Sequence, residues 1–469
     1  MNESAPKRRQ RRDFLISAAG TAAGLAVGSP GYALDGGGIG KLRVGEGVAD
    51  ITPPLGIEMG GFHRPPGQER RIKSIRQKAA VRVLVAQVDA VQVAICSLDV
   101  AAISQDMAAR VQNAVSRQTG IPAAHVRLCA THTHSMPGFC FLRQWGALPR
   151  EFMVLVEKRT AEAVCKAKDD LAPAELALGK CRVTGGNHNR IVKTARTDDQ
   201  FTPRSTDLES WLDTMLHALL FHRAGKRTLL WYHFSAHGVC FADEAAGPDW
   251  PGMVAERARH NEKLEPSFLQ GHCGDVNPGD GSDWRGQADQ TVGAIYPALQ
   301  QAINSATPIR VNRLDTLRTT FRVPFDIALM QRWLEQYRRE PAKCVRGPWV
   351  DAGFAADWYQ GNAGRDLSQK ALPSTLSAVR LGEVGLLFHP GELFSFYGLA
   401  IRRDSPFRDT LTVGYTDGCV GYLCDPKAYQ SGAYEAFTVP KILDYPPFTP
   451  TAARQMTSAA IGMLKRVAT

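Results

Sequence analysis

"AHVRLCATHTHS" (Ala124–Ser135) passes from an apolar, strand-like run into two histidines one residue apart, and the segments around it decide how the chain folds. Just upstream, "SQDMAARVQNAVSRQTG" (Ser104–Gly120) has apolar residues at helical spacing, with Ser104 to cap the helix and Gly120 to end it. Before that, "AAVRVLVAQVDAVQVAICSLDV" (Ala79–Val100) reads as two strands about the turn-like Val88, Asp89 and Ala90. Hairpin, helix and strand in succession point to an α/β protein.

The alternation continues outward. Strands are expected at the start of "LRVGEGVADITPPLG" (42–56), stopped by Pro53 and Pro54, and in "RTLLWYHFSA" (227–236), "SFLQGHC" (267–273), "VGLLFHP" (384–390) and "DTLTVGYT" (409–416). Helices are expected over 150–171, 290–306, 326–341, 393–403 and 452–468. With no internal repeat and no biased linker, residues 41–466 read as one large α/β domain of mixed sheets flanked by helices.

A 469-residue chain with 44% hydrophobic and 22% charged residues has the composition of an ordinary globular protein. Its net charge of +10 is partly local. Five basic residues between Lys7 and Arg12, against Glu3 and Asp13, leave an excess of seven after Ala33. That excess fits attraction to an anionic surface or substrate, including peripheral contact with a membrane. No basic cluster interleaved with aromatics is present, which argues against nucleic acid. Residues 1–33 combine a basic start, a short apolar run and small residues ending at Ala33, the pattern of an export signal. Arg11-Arg12-Asp13-Phe14-Leu15 resembles the twin-arginine signature, so a periplasmic or secreted address is expected. A Gly-rich tether follows over 34–40. The ten cysteines contain no C-x-x-C pair, so zinc-ribbon and thioredoxin-like readings are weak and buried free thiols are expected.

Five strand-like runs end in polar clusters: "RLCATHTHS", "WYHFSAHGV", "FLQGHCGDVNPG", "LLFHPGE" and "TVGYTDG". In open α/β sheets the carboxyl ends of strands are where ligands bind. Residues i and i+2 of an extended segment point to one side, so His132 and His134 could face one ion or one substrate. His237 and Glu392, after other strands, would complete the mixed nitrogen and oxygen set that a catalytic zinc prefers. The residues alone leave other roles open: His237 as a hydrogen-bonded core histidine, and Glu392 in the first turn of a helix. Asp99, Asp249 and Asp275 are candidates for orienting the histidines, or for capping turns.

"GVADITPP", "ATHTHS", "SAHG", "GDVNP", "HPGE", "GYLCDPKAY" and "AYEA", in this order and spacing, resemble the catalytic domain of the neutral/alkaline non-lysosomal ceramidase family. The resemblance covers nearly the whole of the chain after the signal. It implies a Zn2+ ion held by His132, His237, Glu392 and Tyr422. It gives His134 to proton transfer, and sets Tyr434, Arg190 and Gly61 beside the substrate's amide and head group. The implied activity is hydrolysis of a linear N-acyl amide bond, with zinc-activated water attacking the acyl carbonyl while zinc and Tyr434 stabilise the oxyanion.

Two features depart from the family pattern. The β-sandwich region that follows the catalytic domain in ceramidases has no counterpart before Thr469, and Asn277 stands where the family has a serine that touches the ceramide head group. The expected substrate is therefore an N-acylated lipid or small molecule. The competing readings are a metal-dependent esterase or deacetylase of a small or carbohydrate substrate, a (β/α)₈ amidohydrolase, and a noncatalytic binding protein of the same fold.

Overall fold

In the computed structural model, which describes residues 42–65, 67–350 and 352–469, the hairpin expected at 79–100 sits inside the larger of two main sheets. The expected export signal and tether lie outside the described residues. Leu42–Asp50 (β1), Ala80–Val88 (β2) and Val91–Leu98 (β3) pair antiparallel, and Gln105–Thr119 (α1) returns the chain so that Val126–Ala130 (β4) lies parallel to β3. Ser104 Oγ accepts from Met107 N, and Gly120 ends α1 at φ 75°, as the sequence suggests. Arg150–Asp169 (α2) leads to Ala172–Arg182 (β5), Met215–Arg223 (β6) and Leu229–Phe234 (β7). Trp250–Asn261 (α3) then crosses over to Pro266–Gln270 (β8), parallel to β7, and after Ala288–Asn304 (α4) the short Thr307–Ile309 (β9) joins β5. The strand order is β8-β7-β6-β5-β1-β2-β3-β4.

The smaller sheet comprises Leu314–Pro324 (β10), Ala371–Leu381 (β11), Val384–Phe388 (β12) and, across the helix Ser395–Asp404 (α5), Asp409–Val413 (β13) parallel to β12. The chain closes with the helix Ala452–Ala468 (α6).

Strand periodicity of two sorts side chains into layers. From β2, Val81, Val83 and Val85 pack with Met107 and Val111 of α1 and Val156 and Val164 of α2. Its alternate residues Leu84, Ala86 and Val88 pack instead against Leu386, Phe388, Leu411 and Val413 of the smaller sheet. Helices α3 and α4 cover Leu220, Leu230 and Tyr232 of β6 and β7. The outer face of the smaller sheet, with Leu376, Ala378 and Leu387, meets Ile401 of α5 and Met456 and Leu464 of α6. The layers run helices, sheet, sheet, helices, and each fully buried Val, Leu or Ile contributes about 1.5–3 kcal/mol.

Twist then brings the functional strand ends together. By ladder count β4 and β8, at opposite edges of the larger sheet, run in opposite senses. Successive strands rotate by about 20–25°, so the steps between them add up to roughly half a turn. The two edges meet with their carboxyl ends alongside: Ser97 Oγ donates to Phe268 O (2.6 Å), and Gln270 Nε2 to Thr131 O (3.2 Å). Just beyond, Thr133 and Gly238 bridge in parallel. Among the described residues no helix is long and apolar enough to cross a membrane.

Candidate metal centre and substrate cavity

Past the end of β4, Thr131 N and His132 N bond to Leu98 O (2.9 Å) and Val100 O (3.1 Å), which carries His132 over the end of β3. His132 adopts a left-handed backbone, φ 59°, as do Tyr415 (51°), Asp417 (57°) and Asp249 (61°) in other loops. Such non-glycine conformations cost of order 1–3 kcal/mol each and persist where the surroundings hold them. The extended geometry expected for His132 to His134 is therefore broken at His132. A turn at the end of the ladder, not strand alternation, sets the two rings side by side.

His132 Nδ1 lies 2.7 Å from Ala101 O, and His237 Nδ1 lies 2.9 Å from Val276 O. A carbonyl oxygen only accepts, so both Nδ1 atoms carry a proton and both Nε2 atoms present bare lone pairs. Those lone pairs converge on Glu392, whose Oε2 is 3.5 Å from His132 Nε2 and 3.3 Å from His237 Nε2. Tyr422 Oη is 3.5 Å from His237 Nε2. Burial pushes His132 down to about 4 and His237 to about 3, with Glu392 pulling His132 partly back. Both rings are neutral at pH 7. Two bare nitrogens facing a carboxylate oxygen repel it unless a cation lies among them. Four donors each 2.0–2.1 Å from a tetrahedral zinc stand about 3.3–3.4 Å apart, so the residues present fit the ion.

Glu392 and Tyr422, the two oxygen-bearing side chains, come from the smaller sheet. Gly391–Leu393 and Gly421–Leu423, which follow β12 and β13, pair in parallel with Glu392 in register with Tyr422. Residues in register leave a ladder on the same side, so this pairing delivers carboxylate and phenol together. Tyr415 Oη donates to Glu392 Oε2 (3.2 Å), and the Tyr415 ring stacks on His132 with centroids 4.0 Å apart.

His134 stands beside His132, its Nε2 3.0 Å from His132 Nε2. With His132 and His237 it forms a buried group, able to hold a metal, whose ligating atoms all lie within 4.8 Å of one another. Burial, with the neighbouring His132, His237 and Arg70, lowers its pKa well below the usual value. Gly61, at φ 101°, leaves room for it: a Cβ there would fall 2.4 Å from His134 Cβ.

His134, Tyr422, Tyr434, Arg190, Asn277 and Gly61 line one cavity of about 300 Å³, walled also by Phe62, Trp145 and Trp284. His132 and Glu392 border a smaller apolar recess that shares Tyr422, Tyr434 and Trp145 with it. Arg190 donates through Nη2 (2.8 Å) and Nε (3.2 Å) to Glu435 Oε1, its Nη1 reaches Asn277 Oδ1 (3.5 Å), and its guanidinium stands 5.2 Å over the Tyr422 ring. Asn277 Nδ2 in turn donates to Trp284 O. Tyr434, 45% exposed, forms the rim.

The three aspartates do other work. Asp99 accepts from Ala80 N and pairs with Arg82, Asp249 accepts from Cys240 N, Phe241 N and Trp250 N, and Asp275 accepts from Ser395 N, Ser395 Oγ and Asn189 Nδ2. Peptide carbonyls orient His132 and His237 in their stead, and no sequence pattern marks a carbonyl for that role. Sequence reasoning also passed over Tyr415 and Glu435. Tyr415 had a visible signal, being a polar aromatic at the end of the "TVGYTDG" strand.

Fold and centre together define a two-sheet α/β protein with a buried cluster of histidines, able to hold a cation, beside an open cavity. Residues 42–282 match the family model described as neutral/alkaline non-lysosomal ceramidase, N-terminal, and the chain belongs to this family of hydrolases. Two solved structures share the fold, each with a TM-score of 0.68 at 17% identity, over 91% of this chain and 75% of theirs. They are a neutral ceramidase from Pseudomonas aeruginosa and a ceramidase complexed with C2. No curated protein sequence matches the chain.

Proposed function

We propose that the chain is a zinc-dependent amidohydrolase that cleaves a linear N-acyl amide bond, with His132, His237, Glu392 and Tyr422 as the zinc ligands. The observation that carries this reading is the convergence of two proton-free Nε2 atoms on Glu392 Oε2 at 3.5 and 3.3 Å. Held by these four residues, a zinc ion would supply Lewis acidity to the water nucleophile and the acyl carbonyl. His134, buried at the cavity wall, takes the proton of the attacking water and returns it to the departing amine. Tyr434 donates from the rim to the carbonyl oxygen as negative charge develops there. Arg190, held by Glu435, and Asn277 grip the polar part of the substrate, and the packing of Gly61 keeps His134 in position.

A cavity of about 300 Å³ is at the small end of the range for ligand pockets, which favours a second reading: a short N-acyl compound, such as an acylated amino sugar, or an ester. One experiment separates these. Zinc-loaded protein is incubated with ceramides, other N-acyl lipids, N-acyl amino sugars and simple esters, and released amine or acid is measured. Amine release is expected; turnover of esters alone overturns the amidase assignment, and protein that neither contains zinc nor gains activity from it overturns the metal reading. Export by the twin-arginine route belongs to the same proposal, and recovery of the protein only from the cytoplasm would contradict it.

A further inference from the structure

Of the ten cysteines, all free thiols, two meet beside the catalytic loops. Cys419 and Cys140 are neighbours whose thiols act on each other, and both line a cavity of about 380 Å³ bordered by the half-exposed Phe141. Each is anchored by its neighbour. Phe139 N donates to Ala102 O (2.8 Å) and Phe139 O accepts from Ser104 N (3.1 Å), while Val420 N donates to Pro390 O (3.1 Å). Cys140 closes the loop that carries His132 and His134; Cys419 opens the segment that carries Tyr422, and it also borders the recess with His132 and Glu392. Another neighbouring pair makes a useful contrast. Cys96 and Cys129 lie on adjacent strands but on opposite faces of the sheet, one packed with α1 and α2 and the other between the sheets.

We propose that Cys140 and Cys419 form a disulfide that fastens the His132–His134 loop to the Tyr422 segment. Neighbouring thiols on one cavity wall need only a side-chain rotation and a small approach of the two segments to reach the S–S bond length of about 2.05 Å. A small-molecule disulfide serves as oxidant. One protein thiolate attacks it and expels one small thiolate; the second protein thiolate attacks the mixed disulfide at the protein sulfur and expels the other. Two protein thiols are oxidised to one cystine, and the small disulfide is reduced to two thiols that take up the two protons. The cross-link ties segments some 280 residues apart, which restricts the unfolded chain most.

The full-length protein, treated with oxidised glutathione or with a reductant, is alkylated under denaturing conditions and digested without reduction. Ten alkylated cysteines are expected in the reduced sample and eight in the oxidised one, with a single cross-linked peptide pair joining Cys140 to Cys419. The oxidised protein should unfold at a higher temperature than the reduced one with a chelator present in both, and Cys140→Ser should abolish the difference. Separate glutathione adducts on the two cysteines, a cross-link elsewhere, or equal unfolding temperatures overturn the proposal. None of these readouts depends on which bond the enzyme hydrolyses.

Discussion

Replacing His132 and replacing His134 should remove different things, although their Nε2 atoms are 3.0 Å apart. His132 has its Nδ1 proton committed to Ala101 O and its lone pair turned toward Glu392. His132→Ala is expected to lose bound metal, read by elemental analysis. His134→Gln is expected to keep the metal and lose turnover by roughly 10²–10⁴-fold, the usual contribution of a general acid–base group. Equal metal loss in both variants would contradict this division. Gly61→Ala tests the packing that supports His134. A Cβ 2.4 Å from His134 Cβ, at φ 101°, has to displace the ring, so turnover should fall while metal content stays. Stability should drop by about 1 kcal/mol or more, measured by urea unfolding.

At the scale of elements, His233 of β7 crosses to the smaller sheet, where its Nε2 lies 2.9 Å from Thr412 O of β13. Burial pushes its pKa down to about 4, against about 6.5 in the unfolded chain. The sign follows from proton binding: below pH 6.5 the unfolded chain takes up a proton that the folded chain refuses. Stability is therefore intact above pH 6.5 and is lost as pH falls toward 4. His233→Gln, which keeps a donor for Thr412 O, should flatten the fall of the unfolding temperature between pH 6.5 and 4.5; an unchanged slope would show that His233 does not titrate with unfolding.

The elements also show what could be read in advance. The β2–β3 hairpin, the α1 caps and the strand ends bearing His132, His237 and Glu392 were legible because each is local: a turn, a capping residue, a period of two. β10 and β11 escaped because β10 is mostly half-exposed, with Arg318, Thr319, Thr320 and Arg322 interrupting its apolar residues, and its pairing partner lies some 50 residues on. "MLHALLFHR" of β6 mixes apolar runs with helix-favouring residues, an ambiguity that pattern alone does not resolve. Within the site, the resemblance to the ceramidases supplied Tyr422, since a phenol has no spacing rule as a ligand. The left-handed turn at His132 comes from contacts with β3 that no local pattern encodes.

Over the whole molecule, the four proposed ligands would couple the two sheets. His132 and His237 follow β4 and β7 of the larger sheet, Glu392 and Tyr422 follow β12 and β13 of the smaller. A ligand that binds only the folded form stabilises it by about 4 kcal/mol at a thousand times its dissociation constant. Chelation should accordingly lower the unfolding temperature, and added zinc should restore it; an unfolding temperature indifferent to chelator would mean that no structural ion sits between these donors.

The register of Glu392 with Tyr422 bears on how the site comes into being during folding. The smaller sheet presents Glu392 and Tyr422 together only when this short parallel ladder has closed without a slip. A nascent chain that has completed the larger sheet alone holds the three histidines His132, His134 and His237 and neither of these oxygens. The four-ligand centre proposed above would be completed only once the two sheets have docked.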